Sequence, residues 1–214
     1  GDVVVSNAMH EREHSLEGLI PLLQARQPEL TIIPVLVPTM GWERMTELAD
    51  RLSAALAAAM SRHGWQLGRD LAVVISSDAV HYGPDFEHAP FGTDAAGYQR
   101  AVDRDRELAE RSFTGPATAD AARGLLATLV EAEDVRRYRL PWCGRFSVPF
   151  GLELVRRTAE RLGRPAPAGS VLATGSSLSD PQLAVSEATL ASGLGTTAPS
   201  NLHHWVGYVA AGWR

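Results

Sequence analysis

The stretch Leu71-Ala72-Val73-Val74-Ile75-Ser76-Ser77-Asp78-Ala79-Val80-His81-Tyr82-Gly83 decides how this chain is read. Leu71 to Ile75 is a short, uninterrupted, β-branched run, the pattern of a strand buried on both faces. The polar residues that follow would then form a loop at the carboxyl edge of an open sheet, where α/β proteins place their ligand crevices. An acid and an imidazole three residues apart at such an edge suit proton chemistry or metal binding. The bland alternative is a strand-to-loop turn in which Asp78 bonds its own backbone.

Working outward, further strand candidates are residues 3–6, 31–37, 170–174 and 204–211. Helical patterns lie between them. Trp42, Met45, Leu48, Leu52, Leu56, Ala59 and Met60 follow helical spacing, with Gly64 as the stop. Val148, Leu152, Val155, Ala159 and Leu162 do the same, with Ser147 as N-cap, Pro149 in the first turn and Gly163 and Pro165 closing the helix. Leu16, Leu19, Ile20 and Leu23 mark another helix, and residues 98–113 and 118–133 two more. Residues 82–97 read as a long irregular loop, a lid or pocket wall. Alternating strands and helices predict an α/β fold with a mixed, mostly parallel sheet flanked by helices.

Composition narrows the function classes. The chain has 214 residues, a length that suits a single α/β domain spanning 1–214. Its net charge of -5 gives no reason to expect nucleic acid or an anionic membrane surface. Every basic residue other than His is Arg, which reads as genome composition rather than function. One cysteine, Cys143, excludes an internal disulfide. No apolar run is long enough to span a membrane and no signal-peptide pattern opens the chain, so the expectation is a soluble cytoplasmic protein. The chain opens on Gly1 and goes straight into strand-like sequence, the pattern of a processed or truncated product.

Four segments carry candidate chemistry. Glu13-His14-Ser15-Leu16-Glu17 precedes an apolar helix, and it reads either as a helix start or as part of a site. Ser76–Gly83 offers Asp78, His81 and Tyr82. Pro141-Trp142-Cys143-Gly144-Arg145 places a thiol ahead of a helix with a guanidinium nearby, the setting of a nucleophile or soft metal ligand; a buried inert Cys is the plainer outcome. Thr174-Gly175-Ser176-Ser177 is either a crevice wall or a simple turn. Two weaker patterns are set aside. Gly193-Leu194-Gly195-Thr196-Thr197 resembles a phosphate cradle without its Lys. His203 and His204 are adjacent residues entering a strand and point to opposite faces.

In order and spacing, Glu13–Glu17, the run Leu19–Leu23, the run 31–37, Ser76–Gly83 and Cys143-Gly144-Arg145 resemble the Memo family (mediator of ErbB2-driven cell motility). The closing Trp205-Val206-Gly207-Tyr208-Val209-Ala210-Ala211-Gly212 is similar to the family's last strand. The resemblance implies a fold related to class III extradiol dioxygenases, which hold non-haem iron by two His and a carboxylate. It implies Cys143 as a metal ligand, and His81 with Asp78 as catalytic groups. Glu13, His14, Tyr82, Trp142 and Arg145 would line the pocket. Two departures stand out. The family's metal-binding His motifs, of the Pro-His-Ala-Gly and Pro-Ser-His-His type, do not occur here, and Phe146 follows Arg145 where relatives often carry His. By that alignment the chain is the C-terminal portion of a longer Memo-like domain. It would bind Fe(II) or another divalent ion weakly on its own, and a partner chain or a second copy would supply what is missing.

Three functions compete. The first is metal-dependent oxidation or ring cleavage of a phenolic or other small substrate. The second is a non-catalytic module binding a small ligand or peptide through Trp142, Tyr82 and Phe86. The third is a thiol hydrolase built from Cys143, His81 and Asp78.

Overall fold

The computed structural model describes residues 3–179, 187–191 and 201–214. Helices α1 (Asn7–His10), α2 (Ile20–Arg26), α3 (Trp42–His63), α4 (Ala95–Phe113), α5 (Ala119–Leu129), α6 (Ser147–Arg161) and α7 (Glu187–Ala191) alternate with four strands. These are β1 (His81–Tyr82), β2 (Gly115–Pro116), β3 (Ala168–Ser176) and β4 (Trp205–Trp213). The mixture of helix and strand agrees with the α/β class. The Gly193–Thr197 pattern lies outside the described residues.

Local chemistry sets the helix ends. Gly64 terminates α3 at φ 68°, a left-handed conformation that a side chain would oppose. Asp94 accepts the Gly97 N–H at 2.6 Å, so α4 begins three residues before the expected Tyr98. Thr118 caps α5 through the Ala121 N–H at 3.1 Å. That helix stops at Leu129, short of the expected 133, because Val130 turns extended and pairs with Tyr138. Ser147 is the first residue of α6 rather than its cap; Phe146 holds the cap position and gives no side-chain bond.

The sheet departs from expectation. Its order is β1-β4-β3-β2, and every described pair is antiparallel. β3 and β4 run side by side from Gly169↔Trp213 to Ser176↔Gly207, with an irregularity between Val171 and Ala173. The three runs expected to supply parallel ladders do not pair as strands. Residues 3–6 and 31–37 join no ladder, and the run from Leu71 bridges Leu67 at its start and bonds Gly207 through Ala79 at its end without a ladder between. Val73 and Ile75 pack against the core, whereas Val74 is exposed. The run therefore keeps a strand's two-residue period with one face inward, not two. Val3, Val4, Val5, Ile33 and Val35 are exposed as well.

α4 lies against β3 and β4, while α6 packs against both α3 and α5. The core gathers Met45, Ala49, Leu108, Leu125, Leu129, Trp142, Phe150 and Trp205. Gly151 of α6 admits Ile75, which a Cβ there would strike, so the extended run docks directly on that helix. The α3–α6 contact is also ionic. Glu153, whose side chain is 0% exposed, accepts two 2.8 Å bonds from Arg156 and another from Arg157. Arg157 and Arg161 both reach Asp50 on α3, at 2.8 and 2.7 Å. Burial alone would raise the Glu153 pKa, but the two guanidinium groups outweigh it and hold the group below the usual range.

Glu153→Gln should cost about 2 kcal/mol in urea unfolding, because it leaves guanidinium donors without their charged acceptor. Unchanged stability would mean that the cluster contributes nothing to the α3–α6 joint.

Candidate metal centre

The peptide from Ala79 to Tyr82 is bonded along both edges. On one side the Ala79 N–H donates to Gly207 O at 2.9 Å and the Gly207 N–H to Val80 O at 2.7 Å. On the other, the His81 N–H donates to Pro141 O at 3.0 Å, and Val80 bridges Trp142. One arm thus presents Asp78 and His81, and the other presents Cys143 from the short 3-10 turn Cys143–Arg145 that leads into α6. Gly144 lets the arms close, since a Cβ there would collide with Ser77.

Across this junction the Cys143 Sγ lies 3.2 Å from His81 Nε2, and Asp78 Oδ2 lies 3.5 Å from the same nitrogen. The three ligand atoms all fall within 4.8 Å of one another. Among the described residues no other set of three or more His, Cys, Asp or Glu converges in this way. The Asp78 carboxylate, and after it the Cys143 sulfur, raise the His81 pKa to about 9 against the opposing effect of burial. The Phe86 ring meets His81 edge-on at a centroid distance of 4.9 Å and fixes its tilt.

The shared nitrogen decides between chemistries. A Cys-His-Asp hydrolase needs the acid on the imidazole nitrogen remote from the nucleophile, where it orients the ring as a base. Here acid and thiol crowd one nitrogen, so the set lacks that relay. The 3.2 and 3.5 Å separations from His81 Nε2 to the sulfur and to the carboxylate instead match edges of a coordination polyhedron with bonds of about 2.0–2.3 Å, and the third pair falls within 4.8 Å. Carboxylate, imidazole and thiol together suit a borderline divalent ion.

The remaining sequence candidates take other places. Tyr82 and Trp142 are 1% and 2% exposed. The Tyr82 ring stacks on Trp205 at 4.9 Å, and its hydroxyl accepts from the Phe91 N–H and donates to Gly92 O, organising the loop after β1. Trp142 points its Nε1 into the core. Arg145 donates to Trp142 O at 2.9 Å and lies over the Tyr138 ring at 5.0 Å, bracing the turn that carries Cys143. Glu13 accepts the Ser15 N–H at 2.7 Å, the main reason its carboxyl sits below the usual range. His14 is 92% exposed, and the Ser76 hydroxyl ties this segment to the first arm through Ser15 O. Ser176 is buried and bonded to Tyr98 at 2.7 Å, which gives the Thr174–Ser177 segment a packing role.

Two groups near the site, Asp105 and Tyr208, escaped the sequence reading, and a third, His204, was set aside in it. Asp105 is buried beneath Trp142, and desolvation pushes it up to about 6. Its signal was its phase: with Ala101, Leu108 and Ala109 it falls on the apolar stripe of α4. His204 bonds Asp85 at 2.8 Å and leans on Phe86, a pairing across 119 residues that no local pattern announces. Tyr208 is raised by burial and then by the Asp78 charge.

A model of the Memo-like protein family matches residues 3–164. The chain belongs to the Memo-like family. A MEMO1 family protein of Pyrococcus furiosus is 31% identical over 86 residues, which is 38% of this chain and 27% of that protein. One from Archaeoglobus fulgidus is 33% identical over 78 residues, 36% of this chain and 27% of that protein. One from Thermococcus kodakarensis is 34% identical over 86 residues, 38% and 27% of the two lengths. The matched segments therefore span about a quarter of these Memo-like relatives. No helix among the described residues is long and apolar enough to cross a membrane.

Asp78→Asn should lower the His81 midpoint from about 9 toward the ordinary imidazole range, read from the imidazole Hε1 shift in an NMR titration. A midpoint that stays put would show that the carboxylate does not hold the proton.

Proposed function

We propose that Asp78, His81 and Cys143 bind a divalent metal ion, with Fe(II) the first candidate, and that this Memo-like site serves oxidation or ring cleavage of a phenolic or other small substrate. The observation that carries the reading is the convergence of three chemically different donor atoms within 4.8 Å. Such an ion, when bound, supplies Lewis acidity and, as iron, access to one-electron chemistry with O₂. The chain's own groups do the rest. Asp78 holds a proton on His81 at neutral pH, and that proton must leave before the ring can ligate. Phe86 screens one edge of the imidazole from water. Glu13 and His14 would meet a substrate arriving from solvent, a role supported by the Ser76 bond that ties their segment to the first arm through Ser15.

A second reading keeps the site and drops catalysis: a module that binds a small ligand or peptide. The exposure of Cys143 favours it, since a water-excluded pocket is what oxidative chemistry needs. The buried rings of Tyr82 and Trp142 leave Phe86 as the aromatic contact for such a ligand. Under either reading we take the chain as a portion of a longer Memo-like domain in a reducing, cytoplasmic setting. Another polypeptide, from a partner or a second copy, would cover Val3–Val5, Ile33, Val35 and Val74, whose exposure as apolar side chains supports this.

Anaerobic titration of the purified chain with Co(II) should produce a sulfur-to-metal charge-transfer band that Cys143→Ser abolishes. Apparent affinity should climb between pH 7 and 9 by up to roughly tenfold per pH unit for each proton that the ion displaces from His81 and from the Cys143 thiol. A silent titration across that range would defeat the metal reading. Incubation of the iron-loaded protein with a catechol separates the two readings: a new visible absorbance that His81→Ala removes supports oxidation, and its absence supports the binding module.

A further inference from the structure

We propose that Asp105 is the positioning residue of this centre: from α4 its carboxylate clamps the arm that carries His81 to the arm that carries Cys143. The inference rests on reading Asp78, His81 and Cys143 as one site, and it assigns that site a support that lies on neither arm.

Asp105 is 8% exposed and sits among Ala101, Leu108 and Ala109, where a leucine would fill the same space at no electrostatic cost. A carboxylate buried there is expensive unless its lone pairs are used. They meet both arms. Oδ1 accepts the Trp142 Nε1–H at 2.7 Å, and the carboxylate lies against the Val80 backbone N–H, which favours its charge. Val80 directly precedes His81, and Trp142 directly precedes Cys143. The two N–H groups beside the carboxylate therefore belong to the two arms, one residue away from the groups that must meet.

A third strand makes room for the clamp. Gly207 of β4 faces it, and a Cβ at that position would stand 2.5 Å from Asp105 Oδ2 and 3.2 Å from the Val80 side chain. The same Gly207 pairs with Ala79 and Val80 through its backbone. Glycine here lets strand, first arm and carboxylate occupy one layer. Without the carboxylate, the buried Trp142 N–H loses its acceptor, the Val80 N–H loses the charge beside it, and the bridge at Val80 and Trp142 is left to join the arms. A centre whose donor atoms come from both arms is sensitive to shifts of a fraction of an ångström.

The test uses three variants that attack the clamp from different elements. Asp105→Asn puts an amide N–H where the second carboxylate oxygen was. Trp142→Phe deletes one donor and keeps the aromatic packing. Gly207→Ala displaces the carboxylate without altering it. Each is read by Co(II) affinity and by the rate at which iodoacetamide alkylates Cys143, the single thiol of the chain. Ser53→Ala, in the buried α3–α6 joint, serves as the control for lost stability. The expectation is a loss of Co(II) affinity of about tenfold in each clamp variant and a severalfold change in alkylation rate, with no change in the control. Combining Asp105→Asn with Trp142→Phe should add little to either alone, because each frees one arm from the same carboxylate and a clamp open at either end holds neither. If Asp105→Asn does not fold, Trp142→Phe and Gly207→Ala carry the test. Clamp variants that are folded and less stable, yet bind Co(II) and react with iodoacetamide as the parent does, would overturn the proposal. If the parent itself binds no Co(II), the metal reading fails, and the alkylation rates still decide whether Asp105 positions Cys143.

Discussion

Double-edged pairing of the Ala79–Tyr82 peptide is the constraint on which the rest of the site depends. β4 bonds one edge and the Pro141–Trp142 segment bonds the other, so this short peptide behaves as a central strand although β1 itself covers only His81 and Tyr82. Its side chains alternate accordingly. Val80 and Tyr82 enter the core or its margin, while His81 emerges beside Cys143. Val80 and Trp142 face each other across the bridge, and the residues that follow them, His81 and Cys143, come within 3.2 Å. Backbone pairing thus performs the work that a crevice wall does in an open parallel sheet.

Electrostatics then gives the cluster its character. One nitrogen is asked to serve an acid and a thiol, and the outcome is a firmly held proton rather than a relay. The sign matters for the fold as well as for ligands. Because the His81 midpoint is raised, its stabilising contribution is complete below the ordinary imidazole pKa of 6.5 and disappears as pH rises through about 9. The same pH interval is where a cation gains access to the ring. Proton and metal are therefore alternatives at this position, and Asp78 supports both.

The helices were legible because periodic apolar residues, a stop glycine and capping groups are local signals: Gly64, Thr118 and the stripe of α3 were all readable along the chain. The Asp78–His81 pair and the Cys143 segment were visible as motifs. What brought them to one spot was pairing across 62 residues, which a linear reading cannot measure. The sheet was misjudged for a related reason. Alternation of strand-like and helix-like segments implied parallel ladders, but residues 31–37 and 72–76 join no ladder among the described residues, and the long β3–β4 pair is antiparallel. Asp105 was overlooked because Asp103-Arg104-Asp105-Arg106-Glu107 looks like a solvated charged face until helical phase is considered.

The separation of His81 from Cys143 has a mechanical consequence. The chain between them leaves the sheet, builds α4 and α5, and returns. Any ligand that grips both side chains staples the two ends of that excursion, removing loop entropy from the unfolded chain much as a cross-link would. For a loop of 62 residues the limiting benefit is on the order of 4 kcal/mol. Occupancy at the surface would then be felt as resistance to unravelling in two helices that never touch the ligand.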